Sequence, residues 1–169
     1  MFKQFLLNSI VHEMKVIRRL ATKIEGGQAE YRPKEGIRSI NELLQYLSLC
    51  GTNTIRYWYR KDTSVDFRTF ISEAVTGAKE ITAQNFVAAM DNQIKLITEL
   101  FENITEEELL NKEVDYPWGE KAKLGEAIIN TSIKWLTGYK VQLFLKLKLS
   151  SDQELKTPDL WRNTELEKV

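Results

Sequence analysis

The stretch Ile133–Leu143, IKWLTGYKVQL, decides how this chain is read. Trp135 and Tyr139 stand four apart, so they share one face of a helix. That is also the spacing at which a helix presents two metal ligands. Here two large aromatics occupy it. Gly138 interrupts an otherwise good helix, and Gln142 follows in the midst of apolar residues.

Working outward at about 100° per residue, Leu124, Ile128, Thr131, Trp135, Gly138, Gln142, Leu145 and Leu149 fall on one stripe, with Tyr139 at its edge. Ile129, Ile133, Leu136, Leu143 and Leu147 cover an adjacent side, and Val141 and Phe144 a third. A helix apolar over so much of its circumference is buried on several sides. The pattern predicts a helix over about 124–149, either central in a bundle or facing a second subunit. Inside a core the Gln142 amide needs hydrogen-bond partners, on backbone or on a neighbouring helix.

Three more long helices are expected upstream. The first spans about 2–24, with Leu6, Ile10, Met14, Ile17 and Ile24 on one face. Gly26–Gly36 (GGQAEYRPKEG) breaks the chain. The second opens at Ser39, which with Glu42 forms a capping box, and carries Ile40, Leu43, Leu44, Leu47, Thr54 and Trp58 inward to about Arg60. Phe67, Phe70 and Ile71 suggest a short helix packed over the others. The third long helix spans about 82–101, with Thr82 as cap and Phe86, Met90, Ile94, Ile97 and Phe101 as stripe. The run Glu106, Glu107, Glu108 after Thr105 fits a helix N-terminus. KEVDYPWGEKAKL is extended and turn-like, with a small hairpin around Pro117-Trp118-Gly119. The fold class expected is all-α, a four-helix bundle over residues 1–150. A tail over 151–169 follows, polar apart from Leu155, Leu160, Trp161 and Leu166, and packs as an arm.

Composition narrows the function. The 169 residues suit one sizeable core. Lys plus Arg and Asp plus Glu each number 24, and this balance argues against nucleic acid as the main partner and gives no support to an anionic membrane surface. The cluster Tyr57, Trp58, Tyr59, Arg60 and Lys61 reads as core aromatics, Trp58 above all, beside a solvated helix end. No apolar run approaches a membrane span, and no signal-peptide core is seen, so the expected location is cytoplasmic. The one cysteine, Cys50, lies in an apolar run and reads as a small buried hydrophobe. The one histidine, His12, falls opposite the apolar stripe of the first helix, at an angle similar to Arg19 and Lys23, and reads as solvated. No glycine-rich phosphate loop, Cys-x-x-Cys or His-Glu-x-x-His is present.

SINELLQYL (Ser39–Leu47), PWGEKAKLGEAI (Pro117–Ile128) and WLTGYKVQL (Trp135–Leu143) together resemble the DinB-like superfamily, which includes the YfiT-type proteins. The likeness runs from the first helix to Leu149. It implies a four-helix bundle in which three histidines, from a His-Leu at the end of the second helix's leucine-rich run and an H-x-x-x-H-R-x-Q-L in the fourth, bind a divalent metal. Relatives include metal-dependent thiol transferases. At those three positions this chain has Tyr46, Trp135 and Tyr139, and Gln142 matches the family's glutamine. Indole has no lone pair to offer a metal, and neutral phenol is a poor ligand. No metal and no cofactor are therefore expected.

The aromatics either fill the old site with ring volume or line a pocket that binds an organic ligand by stacking and hydroxyl hydrogen bonds. Tyr46, Trp135, Tyr139 and Gln142 are the pocket candidates, with Trp118 covering them from the connection. The leading expectation is a non-catalytic member that binds a small molecule or acts as a homodimeric scaffold. The alternative is a metal-dependent or thiol-transferase-like enzyme with an altered site.

Overall fold

In a computed structural model, residues 1–60 and 64–164 are described. Lys61 and Leu166 lie outside the described residues. Among the described residues the fold is helical apart from one two-stranded sheet. Among the described residues no helix is long and apolar enough to cross a membrane.

Helix α1 (Phe2–Ala21) buries Leu6, Ile10, Met14 and Ile17, the stripe its periodicity predicts. Ile24 lies beyond the helix end. Helix α2 (Ile40–Cys50) starts from the expected capping box: Ser39 Oγ accepts from the Glu42 N–H, and the Glu42 carboxylate accepts from the Ser39 N–H. It stops earlier than periodicity suggests, and the chain resumes as α3 (Asn53–Trp58). At this break α1 and the last long helix close in on Gly51. A Cβ there would press on Met14 Cε and lie 3.1 Å from Leu136 Cδ1, so any larger residue requires these two side chains to shift. Thr54 is buried as expected, whereas Trp58 is half-buried, its Nε1 donating to the Asp115 carbonyl at 2.9 Å.

Helix α4 (Phe67–Ala78), capped by Asp66, lies over α2. Helix α5 (Phe86–Glu102) packs along α1 and begins later than the sequence suggests. Thr82 is not its cap; instead Asn85 Oδ1 accepts from the Thr82 N–H at 2.8 Å. Thr105 and Glu108 form a second capping box for α6 (Glu106–Asn111). The hairpin is present: β1 (Glu113–Asp115) pairs antiparallel with β2 (Lys121–Lys123), Val114 opposite Ala122, around Gly119 at φ +98°.

The last long helix contains the main departure from the wheel. Helix α7 (Leu124–Ile128) runs into a π-helical turn, Ile129–Ile133, and then into α8 (Lys134–Ser150). A π turn holds about one residue more than an α turn, so everything downstream shifts in phase by one. Before it Leu124 and Ile128, and within it Thr131, are buried as the stripe predicts. After it, Leu136, Lys140, Leu143 and Leu147 turn inward. Gly138, Gln142, Leu145 and Leu149, assigned inward by a continuous wheel, are exposed, Leu145 by 50% and Leu149 by 64%. The expectation of a core Gln142 is therefore corrected.

Helix α9 (Thr157–Trp161) folds back as an arm on α1 and α8. It covers Arg19, which sequence places on a solvated face. Arg19 is buried, paired with Asp159 at 3.2 Å, and its Nε donates to the Arg162 carbonyl at 3.0 Å. His12 is exposed, and its Nε2 lies 2.9 Å from the Trp161 carbonyl.

Candidate functional site

The five candidates come from three places in the fold. Tyr46 stands on α2, Trp118 at the tip of the hairpin, and Trp135, Tyr139 and Gln142 on α8. Their positions follow from local structure. The capping box fixes where α2 starts, so Tyr46 projects toward α8 two turns later. The π turn rotates α8, leaving Trp135 and Tyr139 half-buried at the rim of the core.

Four of the five join a row of aromatic rings. Tyr46 and Tyr139 meet across the helices with ring centroids 4.6 Å apart and planes inclined at 57°. One turn away along α8, Trp135 lies 6.4 Å from Trp118. Trp118 stacks at 4.4 Å and 9° on Tyr116, and its own indole is 53% exposed. The Tyr46–Tyr139 and Trp118–Trp135 separations lie within the range for favourable ring pairs. Tyr46, Trp135 and Tyr139 are half-buried and pack against the edge of the core. Gln142 is outside the row, on the solvent face.

Two partners of this row carry no motif. Arg38, just before the Ser39 cap, lays its guanidinium carbon 4.7 Å from the Tyr46 ring centre and 5.8 Å from that of Tyr139. Among the described residues that guanidinium donates to no acceptor, while its neighbour Arg32 is engaged by Glu42 through two contacts of 2.8 Å. The Arg32 fork, with the Ser39 N–H, pulls the Glu42 carboxyl down to about 2. The second is Tyr116, whose hydroxyl accepts from Asn130 in the π turn at 2.7 Å. A basic residue directly before a helix cap beside a buried-edge tyrosine was the only sequence signal for the first.

The chemistry of the three positions does not fit a divalent metal. Trp135 has no donor lone pair. Burial, then the neighbouring Cys50 and Tyr139, push the Tyr46 hydroxyl well above the ordinary phenol range and keep it neutral. Among the described residues no three His, Cys, Asp or Glu side chains come together as a metal cluster. Burial pushes the Cys50 thiol up to about 12, so it is no nucleophile.

A second charged group lies under the arm. Lys140 is fully buried, with Nζ 2.8 Å from Glu13 Oε2 and 4.1 Å from the Trp161 ring centre. Lys140 and Glu13 thus form a buried ion pair between α8 and α1. Sequence gave no sign of it, because the groups that bury Lys140 come from α1 and α9.

No protein-family model matches this chain, and no curated protein matches it significantly.

Proposed function

We propose that this chain is a metal-free, non-catalytic DinB-like four-helix bundle that binds a small organic molecule against the ring surface of Tyr46, Trp135 and Tyr139. One observation carries this reading. Tyr46 and Tyr139, 93 positions apart, meet at 4.6 Å beneath an arginine at the rim of the core. The three rings are half-buried at the edge of the core, and Tyr46 lines an open cleft. Stacking on aromatics with one directed polar group is how small-molecule sites combine affinity with orientation.

The test is a thermal-shift screen of small organic compounds against the wild-type chain and a Tyr46→Ala/Tyr139→Ala variant, with EDTA in a parallel arm. Compounds that raise the wild-type Tm and not the variant's are expected, with no effect of EDTA. A drop in Tm with EDTA, or no ring-dependent compound, would refute the reading.

The homodimer is the second reading. The exposed strip Gly138, Gln142, Leu145 and Leu149 supports it, since two leucines one turn apart face outward and Gly138 leaves the helix backbone open at the strip's start. A second copy related by a two-fold axis would cover one strip with its twin.

A further inference from the structure

Beside Tyr46, the surface dips into an open cleft of about 490 Å³ between α2, α4 and the segment that precedes Ser39. We propose that this cleft takes a planar aromatic acid, its anionic group on Arg38 and its ring against Tyr46. The proposal rests on the reading that the Tyr46–Tyr139 surface is a ligand site, and it names the ligand class.

Charge sets the sign of the ligand. The cleft is lined by Arg32, Arg38 and Lys79 against a single carboxylate, Glu42, on a chain whose net charge is zero. Glu42 is already committed: both its oxygens take Arg32 at 2.8 Å, and one also caps α2. It is therefore a poor receiver for a cationic ligand. Arg32 is satisfied by the same contact. Arg38 is the guanidinium left with donors to offer. A planar guanidinium pairs with a carboxylate or phosphate through two parallel N–H bonds.

Preorganisation favours Arg38 as the anchor. A long exposed side chain ordinarily loses rotamer freedom when it grips a ligand. Here stacking on Tyr46 and Tyr139 already holds the guanidinium near one place, and the rings leave its edge free. The cleft's width is also fixed. The Gln45 amide donates to the carbonyls of Lys79 and Ile81, each at 3.2 Å, which ties α2 to the end of α4. Val75, 45% exposed, and Leu49 supply an apolar wall for a flat ring. Size, wall and charge together fit a one- or two-ring acid.

The test titrates the full chain with 1-naphthoate and with its neutral counterpart 1-naphthamide, read by calorimetry and by amide chemical shifts, with sodium acetate as the anion alone. The expected result is naphthoate bound at least tenfold more tightly than naphthamide, and acetate more weakly than either. Arg38→Gln should erase the naphthoate advantage and leave naphthamide unchanged. Tyr46→Ala should weaken both ring compounds. Arg38 is exposed, so Arg38→Gln should keep the wild-type melting curve and circular dichroism. Equal binding of naphthoate and naphthamide would overturn the assignment of an acid and leave the small-molecule reading standing. A naphthoate advantage that survives Arg38→Gln would overturn the role of Arg38. Failure of both ring compounds to bind at millimolar concentration would overturn the cleft and the reading beneath it.

Discussion

Leu136 and Trp135 are adjacent in sequence, and the π turn assigns them opposite environments. Leu136 is fully buried against Gly51. Leu136→Ala removes three carbons, worth about 2.4 kcal/mol of transfer free energy at about 0.8 kcal/mol each. A residual cavity of about 50 Å³ at about 24 cal/mol per Å³ adds about 1 kcal/mol. The expected loss is therefore about 3–4 kcal/mol. Trp135 is half-buried and keeps one loose ring contact, with Trp118 at 6.4 Å. Losing that pair and part of its buried area should cost about 1–2 kcal/mol. Urea melts of the two variants, fitted with a common slope, measure both losses. A continuous α-helix would reverse the order, with Trp135→Ala costing about 3–5 kcal/mol as a core aromatic. A larger loss for Trp135→Ala than for Leu136→Ala would refute the phase shift and the placement of the aromatic row.

Gly138→Ala should stabilise the chain by about 0.5–1 kcal/mol in the same melts, because a Cβ there meets nothing within 4 Å and alanine is the better helix former; a loss would mean that another surface already covers the strip. In sedimentation, a Leu145→Glu/Leu149→Glu variant should be monomeric at concentrations where wild type is dimeric, and a monomeric wild type would rule out the dimer reading. Cys50 should react with a thiol reagent at neutral pH only as fast as the chain unfolds, since burial holds its thiol protonated; rapid labelling of the native chain would contradict that. Acid should release the arm. Burial raises the Asp159 carboxyl, but the Lys156 N–H and Arg19 outweigh it and hold it below its ordinary value. A carboxyl lowered in the folded state contributes stability that is present above its unfolded value, about 4, and is lost as pH falls below that. Hydrogen exchange over residues 155–162, corrected for intrinsic rates, should therefore lose protection between about pH 4 and the lower folded-state value, and Asp159→Asn should lose it already at pH 6. Equal protection in wild type at pH 6 and pH 3 would refute the linkage.

Local signals were the legible part of this sequence. Ser39 with Glu42 marks a helix start by chemistry that needs no tertiary context, and Thr105 before three glutamates marks another. The stripe of α1 and the Pro117–Gly119 turn are likewise set by near neighbours. What escaped depends on packing. The π turn at Ile129–Ile133 leaves no mark in the periodicity, yet it moves Gln142, Leu145 and Leu149 from the core to the surface. The break at Gly51 reflects the approach of Met14 and Leu136, far apart in sequence. Arg19 looks solvated until α9 folds over it, and Lys140 is covered by the same arm. Of the candidate site, sequence reading named Tyr46, Trp135 and Tyr139 together with Trp118 over them, and the structure sets Tyr46 against Tyr139 and Trp118 near Trp135. Arg38 was not, because its contact with the rings depends on the path of the Gly26–Gly36 segment.

The central claim is that rings, and not a metal, make this site work. Native mass spectrometry tests it most directly, on protein purified without chelator and sprayed with and without a tenfold excess of 1-naphthoate. The expected result is a wild-type chain free of stoichiometric metal that gains one naphthoate, and a Tyr46→Ala/Tyr139→Ala chain that gains none. A divalent ion bound one to one on the wild-type chain, or naphthoate retained equally by the ring variant, would contradict the claim.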